Sequence, residues 1–212
     1  MQDIKGLRGL ISYDPDTGLL TWRSRKVENF KSKKEGSRWN ARYAGKPALS
    51  SKSTSGHLAG TISKKHIKAH RAAWAIYFGE WPINEIDHIN GNPSDNRITN
   101  LREATRTENA KNIAKKIGVS KSSFKGVSKE GNKWKAAINC DGKRTYIGLF
   151  NDEKTAAVAY DLFASTMHGD FARPNFTHDK PAIAAFVAEY VRRNHKAAAI
   201  DGVKVWQTEE AF

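Results

Sequence analysis

Short apolar runs separated by turn residues open the chain. LISY and LLTWR flank Asp14-Pro15-Asp16-Thr17-Gly18, which predicts a hairpin over residues 10–23. Residues 23–56 are rich in Lys, Arg, Ser and Gly and show no sustained period. HLAGTI and HIKAH, around Ser63-Lys64-Lys65, predict a second hairpin. It runs into a helix near Ala69–Phe78, in which Ala73, Trp74, Tyr77 and Phe78 are spaced for burial and Gly79 ends the helix. Glu85–Ile89 reads as a strand entering a turn at Asn90-Gly91, and Ile98–Leu101 returns. Thr105-Arg106-Thr107-Glu108 is a capping box, so a helix is expected from about Arg106 through Lys116.

The second half changes character. FKGVS, KWKAAIN and RTYIGLF predict three strands with turns at 130–132 and 141–143. A helix is expected from about Asp152 to His168, with Ala156, Ala157, Tyr160, Phe163 and Ala164 on one face. A last helix, about Pro181–Ala199, carries Ile183, Phe186, Val187, Tyr190 and Val191 as a stripe. Residues 117–123, rich in Ser, Gly and Lys, read as a linker.

Charge narrows the partner. The 36 basic residues against 22 acidic ones leave +14 over 212 residues, which points to a polyanion. Residues 23–56 concentrate this surplus around Phe30, Trp39 and Tyr43. They fit two readings equally, a flexible loop with aromatic anchors or an arm along a nucleic-acid backbone. No apolar run approaches the ~20 residues of a membrane span, and no export signal opens the chain. Cys140, the single cysteine, excludes an intramolecular disulfide and a cysteine-cluster zinc site and fits the cytoplasm.

The densest chemistry lies in residues 85–112. Asp87 and His88 are adjacent, so a regular strand would turn them to opposite sides, favouring a division of labour. His57, His66 and His70 match no zinc spacing and read as structural or phosphate-facing residues. The order strand, loop, strand, helix gathers an acid, an imidazole and amides, as a one-metal phosphodiesterase requires.

These residues resemble the HNH endonucleases, the ββα-metal nucleases. The resemblance is carried by Asp87-His88, Asn100-Leu101-Arg102 and Asn109, with YDPDTGLLTW, WNARYAGKPA, AHRAAW and Gly79-Glu80-Trp81-Pro82 upstream. It implies that Asp87 and Asn109 ligate one divalent ion, Mg²⁺ by donor type with Mn²⁺ as a substitute. It also implies that His88 is the general base, that Asn100 braces the catalytic loop, and that Arg97 and Arg102 meet phosphates. Asn112 rivals Asn109, which is favoured because it lies 22 positions after Asp87 (109 minus 87).

Residues 124–176 resemble the plant ethylene-response-factor domain (the Apetala family). Lys125-Gly126-Val127, Lys133-Trp134, Tyr146-Ile147-Gly148, Phe150, Ala156-Ala157, Ala159-Tyr160-Asp161 and Asn175-Phe176 carry that likeness. It implies a sheet in the major groove backed by a helix, with Lys125, Ser128, Lys135, Asn139, Arg144 and Tyr146 on DNA. Strand alternation turns Trp134, Ala136, Ile138, Thr145 and Ile147 toward the helix, and Lys133, Lys135, Ala137, Asn139, Arg144 and Tyr146 outward. Ser128, Ala137 and Asn139 replace Arg or Glu of the plant domain, so bidentate base readout is reduced.

The expectation is an α+β chain: an HNH nuclease domain over 1–116, a linker over 117–123, an Apetala-type domain over 124–178, and a C-terminal helix and tail over 179–212. It would cut double-stranded DNA as a monomer or a homodimer, away from any membrane. A catalytically inactive DNA-binding regulator is the main rival, and an RNA-directed nuclease a weaker one.

Overall fold

The computed structural model describes residues 3–115, 121–140 and 142–176. The expected C-terminal helix and residues 117–120 of the expected linker lie outside them. The chain divides into two compact units, Met1–Asn109 and Ala110–Phe212.

In the first unit α1 (Ile4–Leu10) starts at Asp3, whose carboxylate accepts from the backbone N–H groups of Lys5 and Gly6. β1 (Ile11–Tyr13) and β2 (Leu20–Trp22) form the expected antiparallel hairpin. Its turn needs a glycine: Gly18 has φ +74°, and a Cβ there would lie 2.5 Å from the backbone nitrogen of Arg97. The turn is thus pressed flat against residues 96–97.

The basic stretch is less irregular than its pattern suggests. It contains a helix, α2 (Lys33–Tyr43), capped by the Ser32 hydroxyl accepting from Glu35 N–H. Charged side chains surround most of α2, so no apolar stripe marks it. Its anchor is aromatic: Trp39 packs on Trp22, Phe30 and Tyr43, and the Arg25 guanidinium lies 4.0 Å over the Trp39 ring.

β3 (Ser51–Lys52), β4 (Leu58–Ile62) and β5 (Lys65–Lys68) form an antiparallel sheet in that order. α3 (Ala69–Phe78) follows directly and stops at Gly79, φ +85°. Leu7, Ile11, Leu20, Leu49 and Ile62 pack with Ala72 and Ala75 of α3 in the main core. Each Leu or Ile buried there contributes about 1.5–3 kcal/mol.

β6 (Glu85–His88) and β7 (Leu101–Ala104) pair antiparallel, with Asp87 opposite Arg102 and His88 opposite Leu101. A 3₁₀ turn over Ile98–Asn100 precedes β7, so the return strand lies three residues later than its apolar residues suggested. Ile86 and Leu101 pack on Ala73 of α3, which fastens the hairpin to the helix. α4 (Arg106–Lys111) begins where the capping box places it: Thr105 Oγ1 accepts from Glu108 N–H, and Thr105 N–H donates to the Glu108 carboxylate at 2.8 Å. It ends at Lys111, short of the expected Lys116, because Asn112 turns and no apolar face follows to hold another turn.

The second unit holds β8 (Val127–Glu130), β9 (Lys133–Cys140) and β10 (Lys143–Phe150), with β9 in the centre. α5 (Glu153–His168) is capped by Asp152, which accepts from Thr155 N–H at 2.8 Å. Val127, Ile138, Ile147 and Phe150 pack on Ala156, Ala157, Tyr160 and Ala164. The outward expectation fails at one position: Ala137 is buried, its N–H donating to the carbonyl of Gly126. Beside it the register slips between Tyr146 and Gly148, a bulge that breaks strict alternation. Among the described residues no helix is long and apolar enough to cross a membrane.

Candidate active site

The end of β6 carries Asp87 and His88, each 5% exposed. Adjacent strand residues diverge, and these two meet different surroundings. Asp87 turns to Arg102 on the facing strand, whose Nε and Nη2 both donate to Asp87 Oδ2, at 2.9 and 2.6 Å. His88 Nε2 hydrogen-bonds to Asn96 Oδ1 at 3.2 Å.

Asn96 is fixed by the first hairpin, far from it in sequence. Tyr13 Oη donates to its carbonyl at 2.7 Å, and Ile98 N–H donates to Pro15 O at 3.0 Å. The first hairpin therefore sets the loop that orients the His88 imidazole. Asn100, buried, spans the same loop: its Oδ1 accepts from Asn90 N–H and its Nδ2 donates to Asp95 O. Arg97 folds back on Asp95, Nη2 to Oδ2 at 2.6 Å, and this pairing holds the Asp95 carboxyl well below its usual range.

Asn109 stands on α4 with its Nδ2 donating to Glu85 Oε2 at 2.6 Å. Glu85 and Asp87 are two residues apart on β6 and so share a face. Two carboxylates and an amide oxygen are hard oxygen donors, the chemistry Mg²⁺ takes. Glu85 did not stand out in the sequence, although its position two before Asp87 is the available signal. Asn112 is buried, one turn beyond Asn109.

The structure also brings together what spacing did not. One ring nitrogen from each of His57, His70 and His88 lies within 4.8 Å of the others, a cluster that can hold a metal ion. His70 meets both other rings edge to face, perpendicular to His88 at 5.1 Å between centroids, and His57 is tilted against His88. His57 is delivered by the turn before β4: Ser94 Oγ donates to Gly56 O, and a Cβ on Gly56 would sit 2.8 Å from Pro93. His70 opens α3. His66, on β5, is exposed and apart.

Burial sets the charge state of the three. It holds His70 down to about 2, with His88 and His57 adding repulsion. It also lowers His57 and His88, and the bond to Asn96 together with Asp87 and Asp95 opposes the shift at His88. Neutral imidazoles at pH 7 suit both a base and a metal ligand.

In the second unit Arg144 and Tyr146 are exposed, and Lys135 bonds Glu130 at 2.8 Å with its ammonium 5.7 Å from the Tyr146 ring centre. Ser128 is half-buried and Asn139 exposed on the same sheet. Lys125 turns inward, its Nζ donating to Lys111 O at 2.6 Å, and burial lowers it to about 8.

A family model described as HNH endonuclease matches residues 68–111, which hold α3, the β6–β7 hairpin and α4. The chain is 36% identical over 91 residues to an uncharacterized HNH endonuclease of Acanthamoeba polyphaga mimivirus, covering 42% of this chain and 46% of that one. It is 32% identical over 109 residues to Protein 3.8 of Escherichia phage T7, covering 50% of this chain and 88% of that one. The protein belongs to the HNH endonuclease family. It spans about half the length of the mimivirus relative. The solved structure of the HNH homing endonuclease I-HmuI aligns with 52% of this chain and 55% of its own at 25% identity and a TM-score of 0.34.

Proposed function

We propose that the protein is a Mg²⁺-dependent DNA endonuclease of phage homing type, acting in the cytoplasm of a host cell. The observation that carries this reading is the β6–β7–α4 arrangement. It sets Asp87, the Glu85–Asn109 pair and an Asn96-oriented His88 on one hairpin and one helix.

Asp87 and Asn109 would hold the ion, and Mn²⁺ would serve in its place. A divalent ion there supplies Lewis-acid stabilisation to the charge building on the phosphate and on the leaving 3′-oxygen. With Nε2 donating to Asn96 Oδ1, His88 carries its basic lone pair on Nδ1 and takes the proton of the attacking water. Asn100 keeps the loop between the strands in shape. Arg97, half-exposed, is a cation that substrate phosphates can draw from Asp95, whereas Arg102 is held by Asp87.

The second unit is read as a DNA tether of Apetala type. A three-stranded sheet backed by one helix supports this, with Arg144, Tyr146, Lys135, Asn139 and Ser128 on the sheet. Lys125, engaged at Lys111, is better placed to brace than to touch DNA.

The test is nicking of supercoiled plasmid by the full chain with Mg²⁺. Relaxation that stops with EDTA and in Asp87→Ala supports the reading. Mobility-shifted but unnicked plasmid would instead establish a DNA-binding regulator, and preference for duplex RNA an RNA-directed enzyme.

A further inference from the structure

The geometry points to a second metal site, made by His57, His70 and His88, that takes a zinc-class ion and by doing so withdraws His88 from catalysis. The withdrawal rests on the reading of His88 as the base; the site itself does not.

Three imidazoles are nitrogen donors of intermediate softness. They select Zn²⁺, Co²⁺ or Ni²⁺ over Mg²⁺, which prefers the oxygen donors of Glu85, Asp87 and Asn109. The cluster is a built site. His70 is 3% exposed and its Nδ1 finds no hydrogen-bond partner among the described residues. A metal bond to that nitrogen would relieve the cost of leaving it orphaned in the interior. Each of the other two rings has a nitrogen already oriented by a neighbour, His57 Nδ1 by Ser55 Oγ at 3.0 Å and His88 Nε2 by Asn96 Oδ1 at 3.2 Å. Outer partners of this kind fix the tautomer of metal-bound histidines.

The fit needs a small contraction. Ligand atoms within 4.8 Å of one another must close to about 3.3 Å around a tetrahedral ion with ~2.05 Å bonds. His57 can supply it, because it sits at a surface turn and is half-buried. Three protein ligands leave a fourth position for water.

Occupation binds the His88 lone pair. A base that has given its electrons to a metal no longer accepts a proton, so the ion acts as an off-switch for nicking.

Cobalt is the probe, because its visible bands report tetrahedral nitrogen ligation. The full chain, stripped with EDTA, is titrated with Co²⁺ and then with Zn²⁺, and compared with His57→Gln, His70→Gln and the exposed control His66→Gln. The expected result is one Co²⁺ per chain with visible bands, displaced by Zn²⁺. The bands should be lost in His57→Gln and His70→Gln and kept in His66→Gln. Absence of bands in the wild type, or their survival in His57→Gln, overturns the site. In Mg²⁺, Zn²⁺ should slow nicking at least tenfold, and His57→Gln should resist it. Equal inhibition of both proteins overturns the switch. A chain that shows the bands yet never nicks keeps the site and refutes the nuclease reading, and with it the switch. A chain that nicks without the bands does the reverse.

Discussion

Arg102 sends two nitrogens to a single oxygen of Asp87, across a strand pair in which the residues face each other in register. The side chains are 16% and 6% exposed, so both charges are largely out of water. Removing one strands the other. Asp87→Ala should lower stability by about 3 kcal/mol, read as a shift in urea midpoint. Asp87→Ala with Arg102→Met should recover part of that, because no unpaired charge is left. A single variant as stable as wild type would show that Arg102 finds water instead.

The histidine cluster makes the first unit acid-sensitive. Unfolded histidines bind protons at about 6.5, whereas burial holds folded His70 down to about 2. Below pH 6.5 the unfolded chain therefore binds more protons than the folded one, and stability falls as pH falls. Each extra proton costs about 1.4 kcal/mol per pH unit. With EDTA present, urea midpoints between pH 7 and 4 should drop steeply for wild type. The slope for His70→Gln should be shallower by about one proton. Identical slopes would remove His70 from the account.

That cluster is also where sequence reading stops. The extent of α3 was legible, because Gly79 ends it, but its buried side was not: Tyr77 and Phe78, expected inside, are exposed, and the helix packs through Ala69, Ala72, Ala73 and Ala75 instead. Thr105 and Glu108 announced α4 by local chemistry alone. Asp87, His88 and Asn100 stood out by type and order. Nothing local, however, relates His57 to His88. They meet because the Gly56 turn lies on Pro93 and because α3 packs on Ile86, and both are tertiary facts. α2 was hidden for the opposite reason, since charge on most sides leaves no period to read.

Gly126 joins the strand β8 to the segment before it at φ +75°, and a Cβ there would lie 1.8 Å from the Tyr160 ring. Tyr160 is buried in the second core and cannot yield. Gly126→Ala should therefore cost more than about 3 kcal/mol, from backbone strain and overpacking together. Gly131→Ala, at φ +57° in open space, should cost only about 1 kcal/mol. Thermal melts of the two variants make the comparison. Equal melting temperatures would mean that the Tyr160 contact is absent.

Asp161, fully buried on α5, accepts from the backbone N–H groups of Asn175 and Phe176 and from Asn175 Nδ2. Asn175 Oδ1 in turn accepts from Lys125 N–H and its Nδ2 donates to Lys125 O. One carboxylate thus anchors the segment before β8 together with the segment that follows α5. Asp161→Asn keeps the shape but exchanges charge-assisted bonds for weaker ones and places an amide NH₂ against donors. A loss of about 2–3 kcal/mol is expected, with faster hydrogen exchange at residues 124–126 and 175–176. Unchanged exchange there would mean that the apolar core alone holds these segments.

Tyr146 is 52% exposed, a large aromatic left in water on a sheet whose neighbours are Lys135 and Arg144. Lys135 spends its charge on Glu130, but an exposed pair of this kind contributes at most about 1 kcal/mol and a phosphate would replace it readily. Arg144→Ala with Tyr146→Ala should weaken DNA binding at least tenfold. Lys135→Ala should weaken it less and evenly across sequences, lowering the salt dependence by about one ion. Filter binding from low to moderate salt separates the two effects. If the double variant binds as tightly as wild type, the sheet does not touch DNA, and the basic helix α2 with its Trp39 cluster becomes the surface to examine.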